Sequence, residues 1–333
     1  MKCKSKTVRG AKAVAVVSVL VLCGLCVCFV SCNEEADDGT SSMSKDDWAT
    51  LLASYSDGDT ITLSSSLTAS DLAVFAEALI ESGLSNITVD MSQMTITEIE
   101  EKTFYPCSNI SSVILPSCVR IIGDYAFYYC SELTSITIPE GITSIGKYAF
   151  AECRSLTKVT IPNSVTSLGR SVFLYCIAVE TLTIGDGITT IPLEAFFHCH
   201  SLTALTIPNN VTTIGGDAFN SCESLTKVTI PDSVTSLDHG AFAHCPDLET
   251  AVIGDGVETI PRHIFWDCTS LTTVTIGSAV TTIIYGAFGY CSALETVYYN
   301  GTTSEWGEIS ISSSNNSCLT NATIICSDDT YSE

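Results

Sequence analysis

The chain has 333 residues, 46% of them hydrophobic, which is enough for a sizeable core and argues against a disordered protein. Its formal net charge is −23. Because like charges repel, this excludes nucleic acid and charge-recognised anionic membrane surfaces as partners. All 37 acidic residues but only nine of the 14 basic ones follow Cys32, so that part of the chain carries −28.

Residues 1–31 are predicted to be a lipoprotein signal peptide. A basic start precedes an apolar run from Ala13 to Val30, and the small residue Ser31 stands directly before Cys32. This order resembles bacterial lipoprotein signals, so Cys32 is the predicted lipidation site and membrane anchor. An uncleaved membrane anchor is the alternative, because about 18–20 apolar residues can span a bilayer.

Residues 32–46 are predicted to be a flexible tether, because they are acidic and rich in small polar side chains. An acidic run after a lipidated cysteine also resembles an export signal to the outer bacterial surface, with a plain spacer as the alternative. Residues 47–86 are predicted to be a helical N-terminal cap, with Thr68 or Ser70 as the helix N-cap.

A period of 23 residues governs the next part of the chain and predicts a stacked-repeat solenoid. The repeated phenylalanines are Phe104, Phe127, Phe150, Phe173, Phe196, Phe219, Phe242, Phe265 and Phe288. A cysteine follows each of them by three residues: Cys107, Cys130, Cys153, Cys176, Cys199, Cys222, Cys245, Cys268 and Cys291. A longer period is superimposed, since LTKVTIPNSVTSL from Leu156 returns as LTKVTIPDSVTSL from Leu225, 69 residues on. We interpret this as duplication of a three-turn block.

One turn reads LTSITIPEGITSIGKYAFAEC, from Leu133 to Cys153. Its first six residues alternate apolar and hydroxyl side chains and predict a short parallel β-strand. Pro139 ends that strand because it has no amide hydrogen, and a second apolar pair forms the opposite wall.

The pattern L-x-x-L-x-L, followed by V-T-S-I-G and A-F-x-x-C, closely resembles the BspA-like leucine-rich repeat family over residues 87–297. The resemblance implies a horseshoe of about nine turns, and a bacterial surface lipoprotein that binds host or extracellular-matrix proteins. Residues 298–333 break the period and are predicted to form a β C-terminal cap. Local departures from the family pattern are Gly185, Gly254, Gly277, Asp238 and Ala251.

The nine periodic cysteines are predicted to form a buried ladder of free thiols, because stacked side chains point in the same direction. Scattered disulfides and a zinc site are the alternatives. Cys318 and Cys326 lie outside the period and are the best candidates for a disulfide.

Candidate ligand-binding residues are the solvent-facing strand positions and two tyrosines beside the Phe–Cys period: Thr137, Lys158, Thr160, Thr183, Thr206, Lys227, Thr229, Tyr128 and Tyr129. Strand propensity alone also explains the threonines, and packing over the outer wall also explains the tyrosines. His198 and His244 share one repeat position two turns apart, about 10 Å by strand spacing, too far to share a metal.

No nucleophile elbow, zinc-binding helix, phosphate loop or dinucleotide fingerprint is present in the sequence, so no catalytic residue, cofactor or metal is predicted. The prediction is a non-enzymatic, lipid-anchored cell-surface protein that binds a protein ligand in adhesion or host contact. A periplasmic or envelope scaffold and a glycan-binding module are the alternatives.

Overall fold

A computed structural model describes residues 42–329 in full and only the backbone of three earlier strands: β1 (Lys6–Thr7), β2 (Ala15–Leu22) and β3 (Leu25–Cys32). Strand β2 pairs antiparallel with β1 and β3. The rest of the predicted signal peptide and most of the tether lie outside the described residues, so both stay predictions. Within the described part of the chain, no helix is long and apolar enough to cross a membrane.

The N-terminal cap comprises α1 (Lys45–Leu52), β4 (Thr60–Thr62) and α2 (Ala69–Glu81). Thr68 caps α2, as predicted, because its hydroxyl accepts the Asp71 amide hydrogen while the Asp71 carboxylate accepts that of Thr68. Helix α1 begins inside the predicted tether and was not foreseen. Its Trp48 packs edge-on against Phe75 of α2, with ring centroids 5.0 Å apart, and both rings are fully buried.

The repeat region contains two strands in most turns. They are β5 (Ile87–Asp90), β6 (Glu98–Ile99), β7 (Ile110–Ile114), β8 (Ile121–Ile122), β9 (Ser135–Thr137), β10 (Ser144–Ile145), β11 (Lys158–Ile161), β12 (Ser167–Leu168), β13 (Thr181–Ile184), β14 (Thr190–Ile191), β15 (Thr213–Ile214), β16 (Lys227–Ile230), β17 (Ser236–Leu237), β18 (Thr250–Ile253), β19 (Thr259–Ile260), β20 (Thr273–Ile276), β21 (Thr282–Ile283) and β22 (Thr296–Tyr299). All pairs between turns are parallel, and most run at the 23-residue register, as Thr160 with Thr183 shows.

The C-terminal cap comprises α3 (Thr303–Glu308), β23 (Ser310–Ile311), α4 (Ser317–Asn321) and β24 (Thr323–Cys326). Two short helices therefore join the predicted strand. Strands β23 and β24 pair with β21 and β22, so the cap adds a further turn to the nine predicted.

Each turn has three walls around one core. A long-strand wall includes β11, β13 and β16, and a short-strand wall includes β10, β12 and β14. The third, which we call the turn wall, carries the phenylalanine of each turn with its three neighbours on each side. The nine phenylalanine rings stack along it at centroid distances of 5.1–6.0 Å, all fully buried.

Backbone hydrogen bonds between neighbouring turns of the turn wall all run in one direction. In one turn Tyr125, Phe127 and Tyr129 donate their amide hydrogens to Lys147, Ala149 and Ala151 of the next turn. At every phenylalanine except Phe104, the positions two before and two after it are left-handed, with φ of 58° at Tyr125 and 64° at Tyr129. The periodic phenylalanine thus marks a backbone that alternates between right- and left-handed residues.

Candidate binding surfaces

The seven predicted strand residues do face solvent. Thr137, Lys158, Thr160, Thr183, Thr206, Lys227 and Thr229 are all exposed. Six of them lie on regular strands, where the residues between them, such as Val159 and Ile161, are buried. Side-chain alternation on the long-strand wall therefore follows the predicted pattern.

Thr206 is the exception, because its segment is not a strand. Residues 203–207 make one isolated parallel bridge, between Ala204 and Thr181, and the long-strand wall is interrupted there between β13 and β16. A cleft of about 390 Å³ opens at the interruption. It brings together three of the predicted residues, Thr206, Lys227 and Thr229, and half-exposes Leu205, which the repeat pattern would place in the core.

Tyr128 and Tyr129 belong to a cluster of five tyrosines on the turn wall, which we call the tyrosine cluster: Tyr105, Tyr125, Tyr128, Tyr129 and Tyr148. Tyr128 lies at its centre, with ring centroids 5.3 Å from Tyr105, 5.6 Å from Tyr125 and 5.5 Å from Tyr129. Tyr105 and Tyr129 remain 43% and 42% exposed. The cluster therefore presents both ring surface and phenol groups to solvent.

Four of the nine cations that follow Cys32 surround this cluster. Lys102 and Lys147 lie 5.6 and 5.9 Å from the ring centre of Tyr125. The guanidinium groups of Arg154 and Arg170 lie 6.0 Å from Tyr129 and 5.5 Å from Tyr148. These distances suit cation–π attraction, and Arg154 adds this contact to the exposed ring of Tyr129.

Three of those cations also bind a carboxylate. Lys102 lies 2.9 Å from Glu101, Lys147 lies 3.0 Å from Asp124, and Arg154 lies 2.8 Å from Glu152. A strongly acidic chain thus carries one patch whose charges nearly cancel. We take this patch, with its exposed rings, as the main candidate binding surface.

The nine periodic cysteines are buried free thiols, in agreement with the predicted ladder. Each thiol from the second turn onward donates to the carbonyl oxygen of the preceding turn's phenylalanine, as in Cys176 to Phe150 at 3.1 Å. Burial raises the pKa of Cys107, Cys199 and Cys291 to about 12. The ladder is therefore a packing and hydrogen-bonding device, and burial disfavours the reactive thiolate form of these three cysteines.

Cys318 and Cys326 are both free thiols, so the disulfide expected from their positions outside the period is not formed in this structure. They occupy different elements of the C-terminal cap. Cys318 lies in α4, half-buried against the core, whereas Cys326 is the last residue of β24 and is nearly buried.

His198 and His200, which occupy different positions of the repeat, lie side by side. The Nδ1 atom of His198 lies 2.8 Å from the Nε2 atom of His200, and Glu223 Oε1 lies 3.8 Å from that Nε2 atom. The sequence His-Cys-His contained the signal, because a buried Cys199 leaves both flanking side chains on the outside. Within residues 42–329, no three His, Cys, Asp or Glu side chains are already arranged to hold a metal ion.

Comparison with known proteins gives one family and several solved structures. The sequence profile described as "BspA type Leucine rich repeat region" matches residues 74–203 and 189–318, with six copies. No curated protein matches the chain.

Three solved structures are similar to the chain. A leucine rich cell surface protein of Faecalibacterium prausnitzii A2-165 is 24% identical over 92% of this chain and 97% of its own, with a TM-score of 0.39. The leucine rich repeat protein of T. pallidum is 27% identical over 63% and 78%, with a TM-score of 0.31. A leucine-rich repeat protein of Bacteroides ovatus ATCC 8483 is 21% identical over 72% and 82%, with a TM-score of 0.36.

Proposed function

Since the chain belongs to the BspA-type leucine-rich repeat family, we propose that it is a non-enzymatic binding protein of the bacterial surface. We propose further that its ligand is a protein, engaged in adhesion or in contact with host or extracellular-matrix proteins. The tyrosine cluster is the site that the geometry supports best.

The observation that carries the proposal is the exposed ring surface of the cluster, fixed by its neighbours. Tyrosine and arginine are enriched at protein interfaces, where a rigid amphipathic ring contributes contact area at a small entropic cost. Tyr128 is packed among four other rings, so Tyr105 and Tyr129 are held before any ligand arrives. An aromatic patch of this kind is chemically suited to a protein partner.

Net charge supports the same site. The part of the chain after Cys32 carries −28 and repels most acidic proteins. At the cluster, Lys102, Lys147, Arg154 and Arg170 offset Glu101, Asp124 and Glu152. An acidic partner therefore meets the least repulsion here, and this contrast directs it to the aromatic patch.

The proposed location is the outer bacterial surface, with a lipid on Cys32 as the membrane anchor and the acidic tether holding the repeats away from it. Protease treatment of intact cells is expected to degrade the repeats. Protection until the outer membrane is breached would instead favour a periplasmic or envelope scaffold, and retention of the unprocessed N-terminus would exclude the lipid anchor.

Binding is tested with the full-length chain against a panel of immobilised plasma and extracellular-matrix proteins. The double variant Tyr105→Ala/Tyr129→Ala is expected to lose binding to any protein that the wild type retains. Tyr298→Ala is the matched control, because Tyr298 is 40% exposed but lies on β22 of the long-strand wall. Loss of binding in the control, with the double variant unaffected, would move the site to the long-strand wall.

A second candidate function is glycan binding at the interruption of the long-strand wall. The cleft there has about 390 Å³, the size of small-ligand sites, and Thr206, Lys227, Thr229 and Asn209 line it with hydrogen-bonding groups. A glycan array probed with the full-length chain and with Thr206→Val tests this function. No signal on the array, together with a protein ligand, would exclude it.

A further inference from the structure

The pair His198 and His200 suggests a second site, independent of the tyrosine cluster. The two facing nitrogens lie only 2.8 Å apart, close enough to contact one ion at a shared point. Among side chains, imidazole is the commonest metal ligand, and it suits Zn²⁺, Cu²⁺ and Ni²⁺. His200 and Glu223 keep 35% and 56% of their side-chain surface exposed, so an ion and its waters can reach this point.

The His198 ring is held in place before any ion binds. Tyr175 stacks on His198 at 4.5 Å with an angle of 7°, and Phe197 contacts the same ring edge-on at 4.3 Å. The backbone of His198 is fixed as well, because its amide hydrogen is donated to the carbonyl oxygen of Asn220 in the next turn. Such fixed orientation is what neighbouring groups supply in known metal sites.

Each facing nitrogen can act as a metal ligand only when it carries no hydrogen. The hydrogen now shared between the two facing nitrogens can move to the outer nitrogen of its own ring. Both facing lone pairs then become free without net loss of a proton.

The spacing of the nitrogens selects the geometry. With metal–nitrogen bonds of about 2.0–2.1 Å, a right angle at the ion separates two nitrogens by about 2.9 Å, whereas a tetrahedral angle separates them by about 3.3 Å. The observed 2.8 Å is close to the right-angle value. The spacing therefore matches square-planar, tetragonal and octahedral ions better than a tetrahedral Zn²⁺.

Glu223 can complete the set. Its Oε1 atom is 3.8 Å from His200 Nε2, about 1 Å farther than a third ligand at a right angle, and its exposed side chain can rotate to close that gap. Three ligands converge only after this rotation. We propose that His198, His200 and Glu223 form an open surface site for Cu²⁺ or Ni²⁺, with water in the other positions.

The test titrates CuCl₂, NiCl₂ and ZnCl₂ into the full-length chain by calorimetry at pH 7.5. Accessible cysteines are first blocked with N-ethylmaleimide. One Cu²⁺ is expected to bind most tightly, then Ni²⁺, then Zn²⁺. His200→Ala is expected to weaken Cu²⁺ and Ni²⁺ binding at least about tenfold, and Glu223→Gln about tenfold, the size of effect seen when groups around metal sites are changed.

The matched control is His263→Ala, because His263 packs against Trp266 and Tyr285, away from the pair. It is expected to bind Cu²⁺ as the wild type does. Electron paramagnetic resonance of the Cu²⁺ form should show coupling to two nitrogens, reduced to one in His200→Ala. Equal affinity in wild type and His200→Ala, or Zn²⁺ as the tightest ion, would overturn the proposal.

Discussion

The two halves of the turn wall share one backbone but carry different outward side chains. Residues 102–176, the tyrosine half, place tyrosines beside lysines and arginines. Residues 194–268, the histidine half, contain all five histidines of the chain, three of which lie beside carboxylates. Equivalent left-handed positions hold Tyr129 in one half and His198 in the other, with φ of 64° and 60°.

This difference shows that the interior and the exterior of the wall are specified separately. The phenylalanine stack and the thiol hydrogen bonds are continuous through both halves. Only side chains that these contacts leave free differ between the halves. The interior thus determines the fold, and the outward positions can diversify without altering it.

The largest effect on stability is expected when one buried phenylalanine ring is removed from each half. Phe127→Ala and Phe219→Ala each delete a fully buried ring stacked on both sides, and each is expected to lower the free energy of unfolding by about 3–5 kcal/mol. Urea unfolding followed by circular dichroism measures both. A large loss in only one half would show that the two interiors are not equivalent.

A smaller effect is expected at matched left-handed serines. Ser171 and Ser221 have φ of 55° and 59° and are buried, one in each half. Replacement by valine places a β-branched side chain in this region and should cost about 1–3 kcal/mol. Ser→Ala at each position is the control for the lost hydroxyl. Equal stability of the valine and alanine variants would argue against backbone strain.

Low pH is expected to destabilise the histidine half more than the tyrosine half. Burial lowers the folded-state pKa of His198 and His263 below the ordinary 6.5. As pH falls from 6.5 toward those folded values, the unfolded chain takes up protons that the folded chain does not, so stability decreases. The tyrosine half has no histidine. Hydrogen exchange at pH 5.5 against 7.5, corrected for intrinsic rates, should show lost protection in the histidine half only. An equal loss in both halves would contradict this account.

The smallest effect is expected at exposed ion pairs. Lys147 lies 3.0 Å from Asp124 in one half, and His244 lies 3.2 Å from Asp267 in the other. Solvent screens such pairs, so Lys147→Ala and His244→Gln should each leave the urea midpoint unchanged. A clear shift in either variant would show that these pairs contribute to folding beyond their screened attraction.

The architecture could be predicted from the sequence because each 23-residue period corresponds to one turn of the solenoid. Each phenylalanine marks one turn, and the buried strand positions, such as Val159, follow from alternation. The thiol ladder was also predicted, since stacked cysteines cannot face one another. The Thr68 cap was found because its side-chain chemistry is local.

Other features depend on contacts that the period does not contain. The turn with Thr206 repeats the strand motif of its neighbours, yet its segment forms only one isolated bridge to the long-strand wall. Helix α1 combines the local Ser44–Asp47 capping box with the burial of Trp48 against Phe75, a contact between elements. Convergence of His198 and His200 depends on a left-handed residue, which spacing along a strand does not describe.

In the turn wall, each turn donates amide hydrogens to carbonyl oxygens of the next turn. The two ends of the wall are therefore chemically different. At its C-terminal end Asn316, fully buried, accepts the amide hydrogen of Phe288 with Oδ1, at 3.2 Å, and donates from Nδ2 to Ile284 and Ser312. A three-turn block inserted inside the wall brings as many amide donors as carbonyl acceptors. Such an array can lengthen during evolution by internal duplication, as the 69-residue repeat indicates, while the residue that terminates it stays in place.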